Sequence, residues 1–177
     1  MALIVEDGTG RSDAESYGSV AEADAYHVKM GNTAWAGYTD REARLRRGMQ
    51  SMTGMYRAKW KGSRLGNAQA LDWPRIGVNV DDVDWSEAYE GYGGFQGTYP
   101  IDQIPKEVKE ALFELALRAH NSSSLMPDLK TRRTEAKVGP LYVKYDPKSP
   151  QNTRIGVVAQ LLSPYLKRSS SVMMLTR

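Results

Sequence analysis

The spacing of apolar positions predicts four helices. Val20, Ala23, Tyr26 (or His27) and Met30 form a first stripe, opened by a Ser19/Glu22 capping box and closed at Gly31-Asn32. A second box, Thr39 and Glu42, precedes Leu45, Met49, Met52, Tyr56 and Trp60, which recur at steps of 4, 3, 4 and 4. Gly48 and Gly54 lie inside that helix and each costs about 1 kcal/mol against alanine, so it must lean on packing. Small residues there also admit a close approach by another backbone. The third helix starts at Pro105, with Val108, Leu112, Leu115 and Ala119 on one face and Phe113 and Leu117 on another. Two apolar faces imply a central helix or one covered by a partner. The fourth is expected from about Thr153 to Leu162, with Asn152 as N-cap, Ile155, Val158 and Leu162 facing inward, and Ser163-Pro164 ending it.

Between the third and fourth helices, Thr134–Val138 and Leu141–Tyr145 alternate around Gly139-Pro140, which predicts a hairpin. Leu3-Ile4-Val5 is a candidate third strand. Residues 61–104 are rich in glycine and read as a long irregular loop, a kind of segment that is usually functional. The fold expected is mainly α: a small bundle of about four helices with a β-hairpin, a long irregular loop and an extended C-terminal tail. The domain spans 1–166, with the loop at 61–104 and the hairpin within 134–145. Residues 167–177, KRSSSVMMLTR, form the tail, and no internal repeat is present.

Composition mostly excludes. The 177 residues contain no cysteine, which removes disulfides, thiolate zinc sites and a cysteine nucleophile, and only two histidines, His27 and His120. The apolar run Ala2–Val5 stops at Glu6-Asp7, too short for an export signal. The uncharged stretch Ile155–Leu166 is too short to span a bilayer. No membrane association and a cytoplasmic place of synthesis are therefore expected.

The net charge of +3 hides opposed blocks. Residues 1–24 hold Glu6, Asp7, Asp13, Glu15, Glu22 and Asp24 against Arg11 alone. Residues 41–64 hold Arg41, Arg44, Arg46, Arg47, Arg57, Lys59, Lys61 and Arg64 against Glu42 alone. Asp81, Asp82, Asp84, Glu87 and Glu90 make a second acidic block, and the chain from Asp128 onward is basic again. Such blocks can dock on each other within one molecule or between copies.

Catalytic motifs are absent. Gly91–Gly97 lacks the order of a nucleotide-binding loop, and Asp81, Asp82 and Asp84 lack the spacing of a calcium loop. His120 near the end of the third helix reads as a partner of the helix dipole, and His27 has no carboxylate at ligand spacing. Ser122–Ser124 lack a nucleophile context. Neither catalysis nor a metal or cofactor is expected. Arg44, Arg47, Arg57, Lys59 and Trp60 interleave bases with an aromatic, the pattern of single-strand binding, although Trp60 also continues the apolar stripe. Ten tyrosines and four tryptophans against two phenylalanines favour half-buried contact surfaces. Trp85, Tyr89 and Tyr92 beside Asp81, Asp82 and Asp84 read as an exposed docking surface.

The block from Met1 through Glu6-Asp-Gly-Thr-Gly10 to Ser16-Tyr17 and Ala21–Tyr26 resembles a known family. So do Gln69-Ala-Leu-Asp-Trp73-Pro74-Arg75, Ile104-Pro105 and Lys137-Val-Gly-Pro140. The family is one of tailed bacteriophages, labelled DnaT-like single-stranded DNA-binding protein, whose members resemble head–tail connector (adaptor) proteins. The resemblance covers roughly residues 1–166. It implies a structural neck protein of the virion, assembled as a homo-oligomeric ring of about twelve copies. That ring would bind the portal protein and a tail-side neck or tail protein, with genomic DNA passing through its channel. On this reading Lys167, Arg168, Val172, Met173, Met174 and Leu175 dock on the portal, and Asp81, Asp82, Asp84, Trp85, Tyr89 and Tyr92 make an inter-subunit or tail-side contact. Trp73 anchors the chain, Pro74 sets its direction and Arg75 pairs with a nearby carboxylate. The label itself implies the alternative, single-stranded DNA binding through Arg44, Arg47, Arg57, Lys59 and Trp60.

Overall fold

The computed structural model describes residues 2–79, 98–119, 125, 135–138, 141–144 and 155–167, the strands at 135–138 and 141–144 by backbone alone. The chain is mainly α. The described helices are α1 (Val20–Lys29), α2 (Thr33–Ala36), α3 (Arg41–Tyr56), α4 (Lys106–Arg118) and α5 (Gly156–Leu162). Two short antiparallel ribbons accompany them: β1 (Ser63–Arg64) with β2 (Arg75–Ile76), and β3 (Glu135–Val138) with β4 (Leu141–Lys144).

Helix α1 begins as its capping box dictates. Ser19 Oγ accepts from the Glu22 N–H, the Glu22 carboxylate accepts from the Ser19 N–H, and Gly31 follows the helix at φ +70°. At α3 the outcome differs. Thr39 does not cap it; Asp40 holds the N-cap position without capping through its side chain. Its carboxylate instead receives Arg44 Nε at 2.8 Å and faces Arg47 at 3.8 Å, and Glu42 is drawn to Arg46 at 3.4 Å. Charged partners within one turn displace the weaker capping geometry.

Helix α4 is central and packs on α1, α3 and α5. Its two apolar faces account for this: Val108, Leu112, Leu115, Phe113 and Ala116 are all buried. The tightest contact is with α3, where a Cβ on Gly48 would stand 3.0 Å from the Ala116 backbone nitrogen. The glycine's helix-propensity cost is thus set against close backbone packing. The α3 stripe of Leu45, Met49, Met52 and Tyr56 is buried, and so is Trp60. Trp60, however, lies beyond the helix, in extended conformation after a 3-10 turn at Arg57–Lys59. Helix α5 places Val158 and Leu162 in the core and passes into a 3-10 turn, Ser163–Tyr165. The expected cap Asn152 lies outside the described residues, and the helix starts after Ile155.

Helix α2 has no periodic signature, being one turn long. It exists because Trp35 is buried, with Nε1 donating to Asp24 Oδ1 at 2.6 Å. The hairpin forms in the expected register, with Val138 opposite Leu141. The Leu3–Val5 segment does not join it among the described residues; Val5 bridges Ser16 instead. The loop between them wraps around the buried Glu6, whose carboxylate accepts from the N–H groups of Gly8, Gly10 and Arg11 at 2.9–3.0 Å.

The segment expected to be irregular is ordered from residue 61 to 79. Tyr17 is fully buried, and its hydroxyl accepts from the N–H groups of Asp72 and Trp73, both at 3.0 Å. Gln69 ties the loop to itself, donating to the Pro74 carbonyl at 3.0 Å and accepting from the Leu65 N–H at 3.0 Å. Trp73, followed by a cis peptide to Pro74, stands at the centre of an aromatic cluster. Trp60, Tyr99 and Tyr165 surround it edge-on at 5.7–5.9 Å between ring centroids. Arg75 does not take the carboxylate expected of it. Its guanidinium donates to three backbone carbonyls, Lys61 at 2.7 Å, Gly62 at 2.8 Å and Asp72 at 3.0 Å. The planar fork matches three convergent carbonyls at the neck of the loop, and burial lowers its affinity for a proton.

Candidate nucleic-acid interface

The basic block at 41–64 divides in two. Its first half, on α3, is neutralised within the chain. Arg41 pairs with Asp24 at 3.1 Å, Arg46 with Glu15 at 2.9 Å, and Arg44 and Arg47 face Asp40. Arg44 is also buried, donates to the Ala119 carbonyl at 2.7 Å and stacks 3.4 Å from the centre of the Tyr38 ring. These arginines fasten the acidic N-terminal segment to α3. Glu15 and Asp40 are held below the ordinary carboxylate range, chiefly by hydrogen bonds from Arg46 and Arg44 respectively.

The second half is arranged differently. After the 3-10 turn the chain runs extended through Trp60 and pairs antiparallel with Leu166. The Lys167 N–H donates to the Lys59 carbonyl at 2.8 Å, and the Lys61 N–H to the Tyr165 carbonyl at 2.9 Å. Trp60 turns into the aromatic cluster while Lys59 and Lys167 are exposed. Like charges opposite each other in an antiparallel pair repel, so this arrangement suits an anionic ligand. Arg57 is half exposed, and β1 carries exposed Arg64, which donates to the Gln69 carbonyl at 3.1 Å, next to the Ala70 carbonyl that Arg57 approaches at 3.4 Å. Lys61 reaches the Asn79 carbonyl at 2.9 Å. Among the described residues none of Lys59, Arg64 and Lys167 has a carboxylate partner.

Three of the five residues associated with DNA by the sequence therefore do other work. Arg44 and Trp60 are core, and Arg47 stands with the paired arginines of α3. Arg57 and Lys59 remain, and folding adds Lys61, Arg64 and Lys167. The basic block 41–64 contains Lys61 and Arg64, whereas the sequence assigns Lys167 to the C-terminal tail. Arg168, Val172, Met173, Met174 and Leu175 lie outside the described residues. So do Asp81, Asp82, Asp84, Trp85, Tyr89, Tyr92 and His120. Among the described residues no group of three or more histidine or acidic side chains converges to hold a metal ion, and no helix is long and apolar enough to cross a membrane.

A family model described as "Putative DnaT-like ssDNA binding protein" matches residues 1–177, the whole chain, and the chain belongs to that family. No match was found among curated proteins or among solved structures. Membership corrects the main functional expectation. The family is described by single-stranded DNA binding, and nothing connects the chain with a bacteriophage virion, a neck ring, a portal or a tail-side partner. The charge argument for a ring also fails on the acidic N-terminal segment. Glu15 and Asp24 meet Arg46 and Arg41 of the same chain, not basic segments of a neighbour.

Proposed function

We propose that this protein binds single-stranded DNA along the ridge formed by Arg57, Lys59, Lys61, Arg64 and Lys167. The observation that carries the reading is the pairing of Lys59 with Lys167 with no carboxylate partner to either among the described residues, while the α3 arginines all face acids. The family description supplies the polyanion. A strand laid along this ridge contacts it through phosphates, and each phosphate neutralised on a single strand steepens the log–log salt dependence by about 0.7. The protein acts on this reading as a binding module and catalyses nothing.

Fluorescence anisotropy with a labelled oligothymidylate at several salt concentrations tests it. Wild-type affinity is expected to fall with salt at a slope near −3. The K59E/R64E/K167E variant is expected to lose at least a hundredfold in affinity at low salt. Reversal of exposed Lys29, at the far end of α1, serves as the control and is expected to change affinity less than threefold. Equal binding by the triple variant and wild type would remove the ridge as the DNA site.

A further inference from the structure

Beneath the ridge lies an acid that electrostatics alone would not put there. The Asp72 side chain is 1% exposed, and its Oδ1 accepts from Arg57 Nε at 2.9 Å. Its other oxygen, Oδ2, is buried and has no hydrogen-bond partner among the described residues. A buried carboxylate satisfied on one side only is costly to keep. Its backbone cannot shift to relieve this, because the Asp72 N–H is held by the Tyr17 hydroxyl and its carbonyl by Arg75, each at 3.0 Å.

Arg57 has the complementary arrangement. Its side chain is 53% exposed, yet its Nε edge is fixed on Asp72 and Nη2 approaches the Ala70 carbonyl at 3.4 Å. Nη1 has no partner among the described residues. A free arginine gives up to about 2 kcal/mol of rotamer freedom when it is immobilised on a ligand. A guanidinium already clamped through Nε has lost much of that freedom beforehand. We propose that Asp72 is a positioning residue that clamps Arg57 so that its free Nη1 edge is presented to a backbone phosphate of single-stranded DNA. This rests on the DNA-binding reading of the ridge.

The sign of the effect separates this role from a simple field effect. Removing the Asp72 charge makes the ridge more positive, so a field effect alone strengthens DNA binding. Loss of the clamp weakens it. Oligothymidylate binding is measured across salt for R57A, D72A and the R57A/D72A double variant, with thermal melting to confirm folding. D72A is expected to lower affinity three- to tenfold and to flatten the salt slope by about 0.7, as R57A does. The double variant is expected to bind no more weakly than R57A, since both substitutions remove one contact. Binding by D72A equal to or tighter than wild type, or additive losses in the double variant, would overturn the proposal. Should D72A fail to fold, D72N is used, and a partial loss is expected because its amide oxygen still accepts from Nε. Equal or tighter binding by D72N overturns the proposal as well. Weak binding by K59E/R64E/K167E alongside wild-type binding by D72A would refute the clamp and leave the ridge standing. Wild-type binding by the triple variant would refute both.

Discussion

Lys59 and Lys167 face each other across a single antiparallel step, joined by a 2.8 Å hydrogen bond from the Lys167 N–H to the Lys59 carbonyl. Two segments far apart in sequence thereby bring two exposed lysines to opposed positions flanking the Trp60–Leu166 bridge, with Lys59 Nζ 5.3 Å from the centre of the Tyr56 ring. In the absence of an anion this pairing costs stability. Lys167→Ala is expected to raise the free energy of unfolding by about 0.5 kcal/mol at low salt while weakening DNA binding. Urea unfolding with and without added salt checks this, and the gain is expected to fade as salt screens the pair.

Gly48 marks the tightest approach of α3 to α4. A leucine there has no room, since even a Cβ would stand 3.0 Å from the Ala116 nitrogen. Gly48→Leu is expected to destabilise the protein by about 3 kcal/mol, read as a lower urea midpoint. Gly54 is exposed on the same helix, and Gly54→Ala is expected to stabilise by up to about 1 kcal/mol.

The loop neck depends on Arg75. Arg75→Leu leaves the Lys61, Gly62 and Asp72 carbonyls without their donor, and a loss of at least about 3 kcal/mol is expected. Trp73→Ala, which empties the centre of the aromatic cluster, is expected to cost about 3–5 kcal/mol. Calorimetric melting of both variants measures the effect, and near-ultraviolet circular dichroism reports whether the cluster survives in Arg75→Leu.

His27 gives the fold a pH dependence of definite sign. The ring is buried 4.5 Å from Trp35, with Nδ1 within 3.2 Å of Asn32 Nδ2. Burial pushes its pKa below the ordinary histidine value of about 6.5, although the carboxylates of Glu114 and Asp24 oppose the shift. The unfolded chain then binds the proton more readily than the folded one. Stability is full above about pH 6.5 and falls as the pH drops below it. The urea midpoint is expected to decline between pH 7 and pH 5 in wild type and to stay nearly level in His27→Gln. The carboxylates held low by arginine, such as Glu15 and Asp40, act in more acidic solution and leave this window to the histidine.

The elements were legible where one short-range rule dominated. The Ser19/Glu22 box, the buried stripe from Leu45 to Tyr56, the two faces of α4 and the Val138–Leu141 hairpin each follow from side-chain period or backbone chemistry over a few residues. Thr39 failed as a cap because Asp40, one residue further, had arginines within a helical turn. Arg75 was matched to a carboxylate by charge alone, but the carbonyls of Lys61, Gly62 and Asp72 converge only once the loop has closed.

By itself the amino-acid sequence determined the helical class, the periodic core and the absence of thiol chemistry, since these depend on residue type and local spacing. It also contained every cation of the ridge, without distinguishing them from the arginines of α3. Only the tertiary structure made that distinction. Ion pairing falls off within a few ångströms, and Glu15 reaches Arg46, or Lys167 reaches Lys59, only after helices and loops have packed. The small net charge of the chain therefore says little about its surface. Folding neutralises the arginines on α3 and, among the described residues, leaves Lys59 and Lys167 without a carboxylate partner.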